Sequence, residues 1–109
     1  MPTFRRLLSF LGPYRRQNIA SIVADGELLN ITTNRNDRHT ITYRLKDLER
    51  MLDPARFIRL GRGTLANVDQ ISKVAVMPGG THVAILGNGQ KLPVSRIQSR
   101  VLRDRLLKL

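Results

Sequence analysis

The sequence predicts a mostly β, compact antiparallel domain. Short apolar runs rich in Val, Ile and Thr recur from Asn18 onward, and turn-forming clusters punctuate them: Asp25-Gly26, Met77-Pro78-Gly79-Gly80 and Gly87-Asn88-Gly89. That alternation of strand-like runs and tight turns suits hairpins. Only two later stretches change to a helical period, residues 44–52 and 95–108. With 109 residues and no internal repeat, the chain suffices for one domain with a modest core.

Residues 1–17, MPTFRRLLSFLGPYRRQ, stand apart as a basic amphipathic segment, and residues 18–109 form the domain. Phe4, Leu7, Leu8 and Leu11 fall at helical spacing, and Gly12-Pro13 ends a helix there. The favoured reading is a short helix packed on the domain. A membrane-surface or partner-binding arm and the stub of a linker stay open. A secretory signal is not expected, because the apolar core is interrupted and no small-residue cleavage site follows.

Residues 19–23 and 28–33 read as two strands joined at Asp25-Gly26. A polar loop over 34–38 leads to a third strand at 39–43, completing a meander. Over 44–52, Leu45, Leu48, Met51 and Leu52 make one apolar face of a short helix, with Lys46, Asp47, Glu49 and Arg50 opposite. Asp53-Pro54 then caps and opens one further turn. Residues 72–76, 81–86 and 90–94 are three more strands, the last an edge or a terminus because Pro93 cannot donate to a ladder. Ser95 caps a C-terminal helix, with Ile97, Val101, Leu102 and Leu106 facing inward and Arg96, Arg100, Arg103 and Arg105 on the other faces.

Charge narrows the partners. Lys+Arg is 19 against 8 for Asp+Glu, a net +11, which attracts polyanions: nucleic acid first, an anionic membrane surface second. Without cysteine there is no disulfide framework and no thiolate metal site, which fits a reducing cytoplasm. His39 and His82 are far apart in the chain and lack a ligand pattern. No apolar run approaches the roughly 20 residues of a membrane helix. Aromatics are 5% with no Trp, too few for a base-stacking platform. Paired carboxylates, a phosphate-cradling glycine loop and a nucleophile triad are all missing from the pattern, so neither catalysis, a cofactor nor a small-molecule substrate is expected.

The stretch that organises the rest is residues 56–71. Phe57, Ile58, Leu60, Leu65, Val68 and Ile71 flank a Gly61-Arg62-Gly63 turn. Glycine on both sides of Arg62 permits positive φ and close approach to a neighbour, and carries the arginine outward. A planar fork of donors held that way suits a phosphate or the O6/N7 edge of guanine. Asn67, beside a strand, is expected to bond backbone.

Several ordered pieces resemble the LytTR family of bacterial DNA-binding output domains. They are Leu45-Lys46-Asp47-Leu48-Glu49, then Leu52-Asp53-Pro54-Ala55-Arg56-Phe57-Ile58-Arg59, then Asn67-Val68-Asp69-Gln70-Ile71, and finally Gly87-Asn88-Gly89-Gln90-Lys91-Leu92-Pro93-Val94-Ser95-Arg96. The resemblance implies about ten short strands with a short amphipathic helix and a C-terminal helix. It also implies a cytoplasmic, bacterial, sequence-specific regulator of transcription that puts loops into successive major grooves of double-stranded DNA, as a homodimer on paired sites. Base contacts would fall to Arg62 and Arg96. The loop at Asp25-Gly26-Glu27 would reach the duplex with Gly26 and Glu27. Beside what the resemblance implies, the exposed basic and loop positions expected to contact the DNA backbone are Arg35, Arg38, Arg59, Gly63, Lys91, Ser95 and Arg100. The family's His-Arg-Ser triplet is Gly61-Arg62-Gly63 here, and the first loop is acidic. Those departures keep a second reading open: a protein-interaction module of the same fold that has lost operator recognition.

Overall fold

The structure, a computed structural model, describes residues 18–107. The readings of residues 1–17 lie outside the described residues. Elements follow in the order β1 Ile19–Asp25, β2 Leu28–Thr33, β3 Arg38–Ile41, α1 Leu45–Met51, β4 Phe57–Gly61, β5 Thr64–Asn67, a 3-10 turn Val68–Gln70, β6 Ile71–Val76, β7 His82–Leu86, β8 Lys91–Val94 and α2 Arg96–Leu107. The fold is mostly β and antiparallel throughout the described residues, with eight strands in two sheets.

The larger sheet has the order β3-β2-β1-β5-β4 and the smaller β6-β7-β8. Side-chain alternation explains how the larger sheet becomes the middle of three layers. Ile19, Ile22, Leu29, Ile31, Phe57 and Leu65 point to one face, where they meet Leu45, Leu48 and Leu52 of α1 and its end. Ala20, Ile58, Leu60 and Ala66 point to the other, against Ala84, Leu86, Leu92 and Val94 of the small sheet and Leu102 of α2. The alternation along β1 is broken by a bulge between Ile19 and Ser21. The extra residue turns both Ala20 and Ser21 toward the small sheet, and the Ser21 hydroxyl donates to Gln90 Oε1 at 2.8 Å.

Polar groups fasten the two sheets at the start of β1. Asn88 donates through Nδ2 to the Thr33 carbonyl and to Gln90 Oε1, while Asn36 Nδ2 donates to the Asn88 carbonyl. Asn67 is fully buried: its Nδ2 donates to the Ile19 carbonyl and its Oδ1 accepts from the Asp69 amide, opening the 3-10 turn. Asp53 Oδ1 accepts from the Ala55 amide at 2.8 Å, so the Asp-Pro turn after α1 forms as its sequence suggests.

Two expectations are corrected. Ile97 is 76% exposed and Val101 42%, so neither faces inward on α2. The buried line is Ser99 and Leu102 instead, and Ser99 tolerates burial because its hydroxyl donates to the Arg96 carbonyl. The Leu106 side chain lies outside the described residues. Gly61 and Gly63 do not take positive φ; among the described residues the glycines that do are Gly26, Gly79, Gly80 and Gly89. The turn is instead accommodated by a register shift between Arg59 and Gly61, which places one extra residue, Leu60, in β4.

Candidate nucleic-acid interface

Hairpin geometry decides which predicted residues meet. β1 runs toward its turn at Gly26 and Glu27, and β5 starts beside it, with Val23 opposite Thr64. The two hairpin tips therefore share one end of the larger sheet. Gly26, at φ +61°, supplies the left-handed residue that the first turn requires. The Ala24 amide donates to the Gly63 carbonyl at 2.7 Å, binding the tips together. A Cβ on Gly63 would meet Ala24 Cβ at 3.4 Å, whereas Gly61 faces open space.

The third element arrives from the other layer. β4 is an edge strand, and the Ser95 amide donates to the Leu60 carbonyl at 2.8 Å. Steps of about 3.8 Å along the chain and the length of one hydrogen-bonded bridge keep the Arg62 and Arg96 Cα atoms within about 18 Å of one another. Ser95 Oγ accepts from the Gln98 amide, and its carbonyl accepts from the Ser99 amide, so Ser95 is the N-cap of α2. Arg96 opens that helix, and Arg100 lies one turn later on the same side. Both are exposed, as is Arg62. Neither Arg62 nor Arg96 spends its guanidinium on a partner among the described residues, where the one ion pair is Arg59 with Glu49.

The other predicted positions separate. Gly26 and Glu27 are exposed at the first tip, beside Gly63. Lys91 is exposed at the start of β8, opposite Ile85, a strand's length from Ser95. Arg35 and Arg38 lie at the opposite end of the larger sheet, where Arg38 pairs with Thr32 and β1 begins. The length of β1 puts them about 20 Å from the first tip. Arg38 belongs to β3 and not to the loop.

Arg59 is already engaged. Its Nε donates to Glu49 Oε2 at 3.0 Å and its Nη1 to the Arg62 carbonyl at 2.5 Å. Sequence reasoning missed Glu49, because no local spacing links a helix residue to a strand arginine ten positions later. It also missed Arg105, whose Nη2 donates to the Ala55 carbonyl and ties α2 to the turn after α1. Among the described residues, no group of three or more His, Cys, Asp and Glu could hold a metal ion. None of the described helices is long and apolar enough to cross a membrane.

Comparison with known proteins matches this architecture. The family profile described as "LytTr DNA-binding domain" covers residues 14–107. The chain is 34% identical over 82 residues to the transcriptional regulatory protein LytR of Staphylococcus aureus strain MW2, covering 75% of this chain and 33% of that protein. It is 33% identical over 91 residues to the sensory transduction protein LytT of Bacillus anthracis, covering 82% and 37%. The chain thus spans about a third of the length of these relatives. A solved LytTr DNA-binding domain, from a putative methyl-accepting/DNA response regulator of Bacillus cereus, superposes with a TM-score of 0.72 at 24% identity, covering 82% of this chain and 81% of that one.

Proposed function

Because the chain belongs to the LytTr DNA-binding domain family, we propose that it is the sequence-reading part of a bacterial transcriptional regulator, binding double-stranded DNA with loops in successive major grooves. One observation carries the proposal: the β1–β2 tip, the Arg62 turn and the start of α2 stand side by side at one end of the sheet, joined through Ala24–Gly63 and Leu60–Ser95. A row of exposed elements of this kind, two of them presenting unpaired arginines, matches a surface that must follow a groove and its phosphates.

In this reading Arg62 and Arg96 supply bidentate contacts to guanine, each giving about 1–3 kcal/mol of discrimination. Arg100, Lys91, Ser95, Gly63 and the Gly26-Glu27 tip contact backbone or line the approach. The net charge of +11 supplies salt-sensitive affinity without sequence choice. Arg35 and Arg38, at the far end, serve only phosphates of a flanking turn. Two copies on paired half-sites, acting in the cytoplasm, complete the proposal.

The exposed acids Asp25 and Glu27, at the same end as Arg62, favour a second reading, a protein-interaction module. Selection of bound duplexes from a random pool, followed by salt titration of the winner against a scrambled duplex, decides between them. Preference that survives moderate salt supports sequence reading. Equal, salt-labile affinity for both duplexes, or no binding, refutes it, and the absence of binding leaves the interaction module.

A further inference from the structure

Arg59 differs from the other arginines near the Arg62 turn. Its side chain is 26% exposed, and two of its donors are taken by acceptors of the protein itself. One reaches the Glu49 carboxylate on α1; the other reaches the Arg62 carbonyl at the turn itself. Arg59 leaves β4 on the α1 face, two residues after Phe57, which packs into the same layer. A single planar group therefore bridges a helix and a hairpin tip that belong to different layers. A guanidinium keeps such a two-partner geometry because its donors are fixed in one plane, whereas an ammonium is a compact point charge whose three rotatable donors hold no fixed fork.

The bridge has an electrostatic side as well. Arg59 and Arg62 carry like charge three residues apart, and the Glu49 carboxylate offsets the inner one. The outer guanidinium is left as the free cation of the turn. Both residues flanking Arg62 are glycines, so no flanking side chain helps to fix the turn.

We infer that Glu49 and Arg59 form a brace holding the Arg62 turn against α1, so that sequence discrimination at Arg62 depends on two positioning residues that need not touch the duplex. The inference rests on the DNA-reading role proposed above. A recognition side chain is useful only when its backbone is held to within a fraction of an ångström. Here a helix on one face of the sheet adds its restraint to the Ala24–Gly63 bond that ties the turn to the neighbouring tip.

The test uses the full chain, a duplex taken from random-pool selection and its scrambled counterpart, with dissociation constants measured across a salt series. Arg62→Ala is the control: if it leaves preference intact, the reading of Arg62 fails, whatever the brace does. With that control passed, Arg59→Lys keeps the charge but not the bridge. It should lower the preference ratio about five- to tenfold, part of what loss of a whole bidentate contact would cost, and leave the salt slope nearly unchanged. Glu49→Gln should lower the ratio to a similar extent while leaving affinity for the scrambled duplex equal or tighter, since it removes an acid. The double variant should fall no further than the more affected single variant.

Two results overturn the inference: unchanged preference in Glu49→Gln, or additive losses in the double variant. If Arg59→Gln lowers the salt slope by about one and Glu49→Gln changes nothing, Arg59 is a phosphate contact instead. Should Arg59→Lys not fold, the Glu49→Gln arm decides alone.

Discussion

The Ser95 amide donates to the Leu60 carbonyl at 2.8 Å, joining the start of the C-terminal helix to the strand that ends in the Arg62 turn. Leu60 is the extra residue of the β4 irregularity, so the same local insertion that shapes the turn also offers the carbonyl that receives α2. Two arginines more than thirty positions apart in sequence are thereby held with their Cα atoms within about 18 Å of one another.

Arg62→Ala and Arg100→Ala should separate reading from attraction. The first should flatten preference among duplex sequences by about 1–3 kcal/mol. The second should weaken binding to all duplexes about equally and reduce the slope of log affinity against log salt by about one. Competition titrations at several salt concentrations measure both; the reverse pattern would move the reading surface elsewhere.

Ser95→Ala should cost about 1 kcal/mol in urea unfolding, the usual value of a lost N-cap. Its backbone donation to Leu60 survives the change, so the cost should appear at the first turn of α2. Early hydrogen exchange at Gln98, whose amide the Ser95 hydroxyl accepts, would report it.

Gly61 and Gly63 should differ in how they accept a side chain. Gly61 has open space and no positive φ, so Gly61→Ala should be neutral or stabilise by about 0.4–1 kcal/mol through the unfolded chain. Gly63→Val should destabilise by about 1–3 kcal/mol, since its added carbons enter contact with Ala24. Thermal melts of the two variants check the contrast.

Asn67→Ala should cost about 1–3 kcal/mol, because it strands the buried Ile19 carbonyl and the Asp69 amide. Affinity per folded molecule should stay the same. A loss of duplex preference at unchanged stability would give Asn67 a role at the interface.

Leu102→Ala should cost about 2–5 kcal/mol as a cavity in a fully buried position, whereas Ile97→Ser, at 76% exposure, should cost little. Denaturant midpoints of these two variants test which face of α2 is inward.

Much of the fold was legible because its signals are local. Asp25-Gly26 and Gly87-Asn88-Gly89 announce turns, and Leu45 with Leu48 announces the inward face of α1. The misassigned face of α2 shows the limit. Ile97 and Val101 look like core residues, yet the inward face carries a serine that satisfies its hydroxyl on its own helix backbone, so polarity alone does not mark the outward face. Exposure of Arg62 and Arg96 follows from turn chemistry and capping. Their closeness does not, since it arises from one hydrogen bond between layers, and the separation of Arg35 and Arg38 follows from strand direction over the length of β1. Glu49 and Arg59 meet through tertiary packing, and no spacing rule in the chain anticipates it.

Ala20, Ala66 and Ala84 are all fully buried between the larger and smaller sheets. Arg62 hangs from one of those layers and Arg96 follows the last strand of the other. Three methyl groups thus act as shims that gauge the gap between the layers carrying these two arginines. Thickening one of them, as in Ala84→Val, would widen that gap from inside the core, with no change at either arginine.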